Sequence, residues 1–196
     1  MYKRSLLLLA TIFIFAGFAS DEMSRFERRS LEKREEAGKI LWLTHEPVHF
    51  GLRRGRVSED MPERYLKQHE PENLERMARL GSRYGRLHFY KGFGLDFEME
   101  EMRRAARAAE VMHDLGMKVS LYVGGTMFIE TFFRETPEAV NWEQRDQYDR
   151  PVPYSVGTQT YRHFACPNEP AYHDYMKRVL DVGIDMVKAD QFFFDN

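Results

Sequence analysis

The feature that most constrains this chain is the regular alternation of short apolar runs with amphipathic segments. Residues 39–44, 86–91, 117–123 and 185–196 read as strands. Between them, residues 72–80 place Leu74, Met77, Ala78 and Leu80 on one helical face. Residues 96–115 form the clearest helix. Its acids Glu98, Glu100 and Glu101 precede Arg103, Arg104 and Arg107, an order that suits the helix dipole, and Gly116 stops it. Residues 168–183 repeat Tyr172, Tyr175, Met176, Val179 and Leu180 at three and four. The strand runs are apolar rather than strictly alternating, as in a parallel sheet covered on both faces. Strand and helix in strict succession predict an α/β fold with a parallel sheet. Residues 45–71 and 126–167 read as long connecting segments.

Four strand–helix units are half of a (β/α)8 barrel. A complete TIM barrel takes about 250 residues, against 196 here. The expectation is a partial barrel, its N-terminal half, over residues 39–196. Ahead of it, Lys3-Arg4 precede an apolar run from Leu6 to Ala16, with Gly17 and Ala19 at the positions a signal peptidase inspects. Residues 1–19 are therefore expected to be a signal peptide, which makes the protein secreted or periplasmic and leaves no membrane span after cleavage. The run is short for a bilayer span of about 20 residues. Residues 20–38 alternate acidic and basic side chains, as a charged tail or surface helix does.

A formal net charge of −2 and a pI near 6.4 build no basic field, so nucleic acid is not an expected partner. Cys166, the single cysteine, forms no internal disulfide and has no setting for a nucleophile. Gly92-Phe93-Gly94 lacks the third glycine of a dinucleotide fingerprint, and no cofactor is implied.

In parallel barrels chemistry sits beyond the C-terminal strand ends. Here those ends carry Thr44-His45-Glu46, Tyr90-Lys91-Gly92, Tyr122 with Gly124-Gly125, and Asp195-Asn196. Asp195 follows Phe192-Phe193-Phe194 directly, which puts a carboxylate at a barrel mouth beside apolar walls. Glycoside hydrolysis uses two carboxylates, and Asp195 suits the nucleophile or the acid, a substrate-binding group, or a cap of a following helix. Asp190, five residues earlier, falls on the opposite pleat face and is the rival carboxylate.

His45-Glu46-Pro47-Val48-His49 matches the H-E-x-x-H pattern of zinc proteases. Pro47 would sit inside the helix that this site needs, at a cost of about 3 kcal/mol. No metal site is expected; His45 and Glu46 suit sugar binding or a hydrogen-bonded loop.

The run Gly116 to Gly125, the helix start Cys166-Pro167-Asn168-Glu169-Pro170-Ala171-Tyr172 and the ending Phe193-Phe194-Asp195-Asn196 resemble bacterial glycoside-hydrolase-like barrels. Lys188-Ala189-Asp190 is similar to the Lys-x-Asp strand of alpha-galactosidase-type barrels, where the resemblance implies an Asp nucleophile. The two alignments nominate different catalytic carboxylates, Asp195 and Asp190, with Asp195 preferred because it ends its strand. The resemblance implies an exported O-glycoside hydrolase whose second carboxylate lies on a later strand. His45, Glu46, Tyr90, Lys91, Tyr122, Arg162 and Asn196 are the expected sugar-binding residues. The alternative from another class is a carbohydrate-binding barrel without chemistry.

Overall fold

The computed structural model describes residues 40–55, 58–154 and 161–195. The expected signal peptide, the charged tail and Asn196 lie outside the described residues. A compact unit runs from Leu41 to Asn196, and the following concerns it.

Its sheet has four strands, β1 (Ile40–Leu43), β2 (Tyr84–Tyr90), β3 (Lys118–Gly124) and β6 (Gln191–Asp195), in the order β1-β2-β3-β6. The pairs β2–β3 and β3–β6 are parallel. Within this sheet the order in space follows the order along the chain. A doubly wound sheet would reverse its order at a switch point; unbroken succession is how a barrel wall is built. No helix among the described residues is long and apolar enough to cross a membrane.

Helices α3 (Pro71–Arg79), α4 (Leu95–Asp114) and α6 (Pro170–Val182) connect the strands. In α4, Met102, Ala105, Ala109 and Met112 repeat at three and four and are fully enclosed. They share one core with Leu87, Val119, Leu121 and Val123 of the sheet and Tyr172, Tyr175 and Val179 of α6. Helix α4 ends as its sequence suggests. Gly116 takes φ +71°, its N–H donates to His113 O, and Met117 N–H reaches back to Met112 O. The opposite sheet face is polar and aromatic. There Arg86 Nε meets Ser120 Oγ at 3.4 Å, and the Arg86 guanidinium lies 3.7 Å from the Phe193 ring centre.

Three expectations need correction. The segment 45–71 is not one loop: it holds α1 (Val48–Arg53) and α2 (Met61–Lys67), which bury Phe50 and Tyr65. The segment 126–167 holds an antiparallel pair, β4 (Met127–Ile129) with β5 (Arg162–Phe164), and the short helix α5 (Phe132–Glu135). Finally, residues 185–187 are not strand. A π-helical turn, Gly183–Val187, prolongs α6; Lys188 turns it off at φ +53°, and β6 begins only at Gln191. A smaller departure concerns Leu80, which caps the C-terminus of α3 instead of joining its apolar face and is exposed.

Candidate functional site

The C-terminal ends of the parallel strands bring together Glu46, Lys91, Tyr122 and Asp195. Lys91 arrives there through an irregularity in β2. Its register with β3 runs Leu87↔Leu121 and His88↔Tyr122, then Tyr90↔Val123, so Phe89 is an extra residue. Strict alternation would put Tyr90 on the face of His88. The bulge instead turns Tyr90 toward the helices, where it is buried 6.4 Å from the Tyr175 ring. Lys91 takes the face of Tyr122. The expected sugar-binding residue Tyr90 is therefore not brought to the mouth, and Lys91 is.

Lys91 is 4% exposed. Its Nζ lies 3.3 Å from Glu46 Oε1, 3.8 Å from the Tyr122 ring centre and 4.8 Å from that of Phe50. Burial pushes its pKa down; Glu46 opposes that shift and Arg54 adds to it. The other Glu46 oxygen accepts from Arg54 NH1 at 2.9 Å. Tyr122 donates its hydroxyl to Asp195 Oδ2 at 2.9 Å. Burial, then this bond to the carboxylate, raises the Tyr122 pKa and keeps it a donor. Arg162 enters from β5, 2% exposed, its guanidinium 4.2 Å from the Tyr154 ring centre. Beneath Tyr122 the His88 ring packs at 4.6 Å, with its pKa pushed down to about 2 by burial and by the Lys91 charge.

The turn that presents Lys91 is held by two acidic side chains. Glu98, 1% exposed in the first turn of α4, accepts from Lys91 N at 2.7 Å and Phe93 N at 2.9 Å. Burial raises its pKa to about 8, against the pull of those N–H groups. Glu135 of α5 accepts from Leu95 N, Asp96 N and the Tyr175 hydroxyl, satisfying donors at the start of α4. Gly92 sits between them at φ +90°, and a Cβ there would run into the Met127 carbonyl.

His45 lies apart from Lys91. It is exposed, its N–H donates to Gln68 Oε1 at 2.7 Å, and with Glu46, Ser58, Met61, Arg64 and Tyr65 it lines a cavity of about 270 Å³. The H-E-x-x-H pattern does not form one helical face. Pro47 is the N-cap of α1, so His45 precedes the helix while His49 packs edge-on against Phe93. Asp190 is at the other end of the sheet from Asp195. It pairs with Lys118 Nζ at 2.7 Å, with Val119 N at 2.9 Å and with His113 Nε2 at 3.1 Å. Burial opposes its charge, but those partners outweigh burial and hold its pKa below the usual carboxylate range. It braces the N-terminal rim, remote from the mouth.

Sequence reasoning missed Phe50, Arg54 and Glu98. Phe50 and Arg54 are one helical turn apart, a signal hidden by reading residues 45–71 as a loop. Glu98 looked like an ordinary first-turn acid; only its burial distinguishes it.

No family model matches the sequence, and no curated protein matches it. Solved structures of glycoside hydrolases do share the fold. A noncanonic maltogenic alpha-amylase from Thermotoga neapolitana superposes with TM-score 0.50 at 14% identity, over 68% of this chain and 35% of that one. An alpha-galactosidase from Thermus thermophilus, solved with p-nitrophenyl alpha-D-galactopyranoside, superposes with TM-score 0.52 at 14% identity, over 77% of this chain and 29% of that one. This chain thus spans about a third of the length of each. At this identity the likeness is one of fold: a mixed α/β structure with a parallel sheet, akin to the barrels of amylases and alpha-galactosidases.

Proposed function

We propose that this protein is an exported O-glycoside hydrolase of barrel type. The observation that carries the reading is Asp195 at the C-terminal end of β6, hydrogen-bonded by Tyr122 from the neighbouring strand. The Tyr122 donor holds the Asp195 carboxylate in one orientation at the strand end, which suits it to the nucleophile's position at the anomeric carbon. Glu46 spends both oxygens on cations and is a binding group here, with Lys91, Tyr122 and Arg162 beside it. Supporting this, the barrel-like neighbours are glycoside hydrolases, one of them solved with a galactoside.

That Glu46 is neutralised by Arg54 and Lys91 also favours a second reading, a carbohydrate-binding barrel without chemistry. Aryl glycosides separate the two. Under the hydrolase reading, Asp195→Asn lowers kcat/KM by about a thousandfold or more while sugar binding persists. Turnover that survives the substitution removes Asp195 from the chemistry. Binding without turnover in the parent establishes the second reading.

A further inference from the structure

Between the end of β1 and helix α2 lies the cavity of about 270 Å³ lined by His45, Glu46, Ser58, Met61, Arg64 and Tyr65. Glu46 belongs both to it and to the mouth. It lines the cavity, and its Oε1 lies 3.3 Å from Lys91 Nζ at the strand ends. One wall is α2, where Met61 and Tyr65 stand a helical turn apart. That wall is tied to α4. Tyr65, 3% exposed, donates its hydroxyl to Glu101 Oε2 at 2.5 Å, and Glu101 Oε1 accepts from Arg104 NH1 at 2.6 Å. The His45 wall is tied down as well. Gln68, 7% exposed, accepts from His45 N–H at 2.7 Å, and its backbone carbonyl accepts from Asn73 Nδ2 at 3.2 Å. The Gln68 Nε2, at the same amide end, is enclosed with no acceptor among the described residues.

The lining divides by chemistry. Met61 and the Tyr65 ring offer apolar surface, whereas His45, Glu46, Ser58 and Arg64 offer donors and acceptors. An aryl or alkyl group would leave the polar side unmet, and a small ion would leave the apolar side unused. A sugar ring carries both, a C–H face and a rim of hydroxyls. The volume is near the lower end of small-molecule pockets, about 300 Å³, which suits one ring and not a chain. We propose that this cavity is a second sugar-binding pocket continuous with the mouth, so that the substrate is a disaccharide or longer, one ring at the mouth and the next between His45 and Met61. Because both walls are already braced, the second ring enters a preformed place and its contacts appear as affinity. The proposal rests on the carbohydrate reading above and names its substrate class.

The test is calorimetric titration of the whole protein with melibiose, maltose, lactose and cellobiose, each beside the methyl glycoside of its non-reducing sugar in the same anomeric form. At least one disaccharide is expected to bind about tenfold or more tighter than its methyl counterpart. Met61→Trp fills the cavity from α2, and there the gain falls to about threefold or less; Met61→Leu, of similar volume, keeps it. Arg64→Ala removes an exposed side chain that the fold does not need, and lowers the gain by about threefold or more. Melting temperatures check that each variant is folded. Disaccharides that bind no tighter than their methyl counterparts overturn the proposal, as does a gain that survives both Met61→Trp and Arg64→Ala. The same titrations keep this apart from the carbohydrate reading. Methyl glycosides bound without any disaccharide gain leave that reading standing and sink the second pocket. No binding of any of these sugars sinks both.

Discussion

Replacing Glu98 tests whether one buried carboxylate holds the turn that presents Lys91. Each of its oxygens accepts one buried backbone N–H, from Lys91 and from Phe93. Glu98→Ala orphans both donors, at about 1–3 kcal/mol each, so the expected loss is about 2–6 kcal/mol. Glu98→Gln keeps one carbonyl oxygen and sets an amide NH2 against the other N–H, for a loss of about 1–3 kcal/mol. The pH dependence separates a carboxyl from a mere space-filler. The folded pKa is raised to about 8, so the unfolded chain loses its proton first as pH rises from about 4.5. The stability that Glu98 contributes is therefore full below that range and declines until about pH 8, by up to about 1.4 kcal/mol per pH unit. Urea unfolding of parent and both variants, followed by circular dichroism across this range, measures all three quantities. A parent limb that falls toward pH 8 and flattens in Glu98→Gln is the expected result. An alanine variant costing under about 0.5 kcal/mol, or the same falling limb in the glutamine variant, refutes the clamp.

Two further outcomes follow from buried or paired groups elsewhere. His88 has its folded pKa depressed to about 2, so below about pH 6.5 only the unfolded chain gains its proton and stability falls with pH; His88→Gln should flatten the acid side of the same urea profile, and an unchanged acid limb would sink the assignment. Asp190→Asn should cost about 1 kcal/mol at neutral pH, through weaker bonding to Lys118, Val119 N and His113 at a solvent-accessible rim, and leave sugar binding by calorimetry unchanged. A change in affinity without a change in stability would move Asp190 to the functional site.

The α/β succession was legible because the parallel strands write continuous apolar runs, and helix α4 writes an apolar stripe through Met99, Met102, Ala106, Ala109 and Met112, of which Met102, Ala109 and Met112 are fully enclosed while Ala105 takes the enclosed place expected of Ala106. The three failures share a physical origin. Helices α1 and α2 are one to two turns long, too short for a periodic stripe, although Pro47 and Pro62 at their starts are the residues a helix N-terminus favours. The apolar run Ile184-Asp185-Met186-Val187 has strand composition but continues a helix, since the preceding turns of α6 already fix its hydrogen bonding. The pairing of β4 with β5 joins residues more than thirty apart, and no local pattern specifies it.

The mouth depends most on a feature that composition does not carry. Tyr90 and Lys91 both stand at a strand end, and the residue types alone gave no reason to choose between them. The choice is made by Phe89, the extra residue in β2. Without it Tyr90 would share the face of His88 and Tyr122, and the ammonium of Lys91 would point into a core of Leu121, Val123 and Tyr175, where an unpaired charge is prohibitive. With it, the tyrosine fills that core and the cation reaches Glu46 and the Tyr122 ring. Bulges recur beside functional sites because they re-aim a single side chain while the rest of the sheet keeps its register. Here the re-aimed side chain is the one that ties β1, β2 and β3 together at the mouth. Glu98 and Gly92 secure the turn immediately after it, so the geometry of the candidate site is set by the backbone path of one strand end.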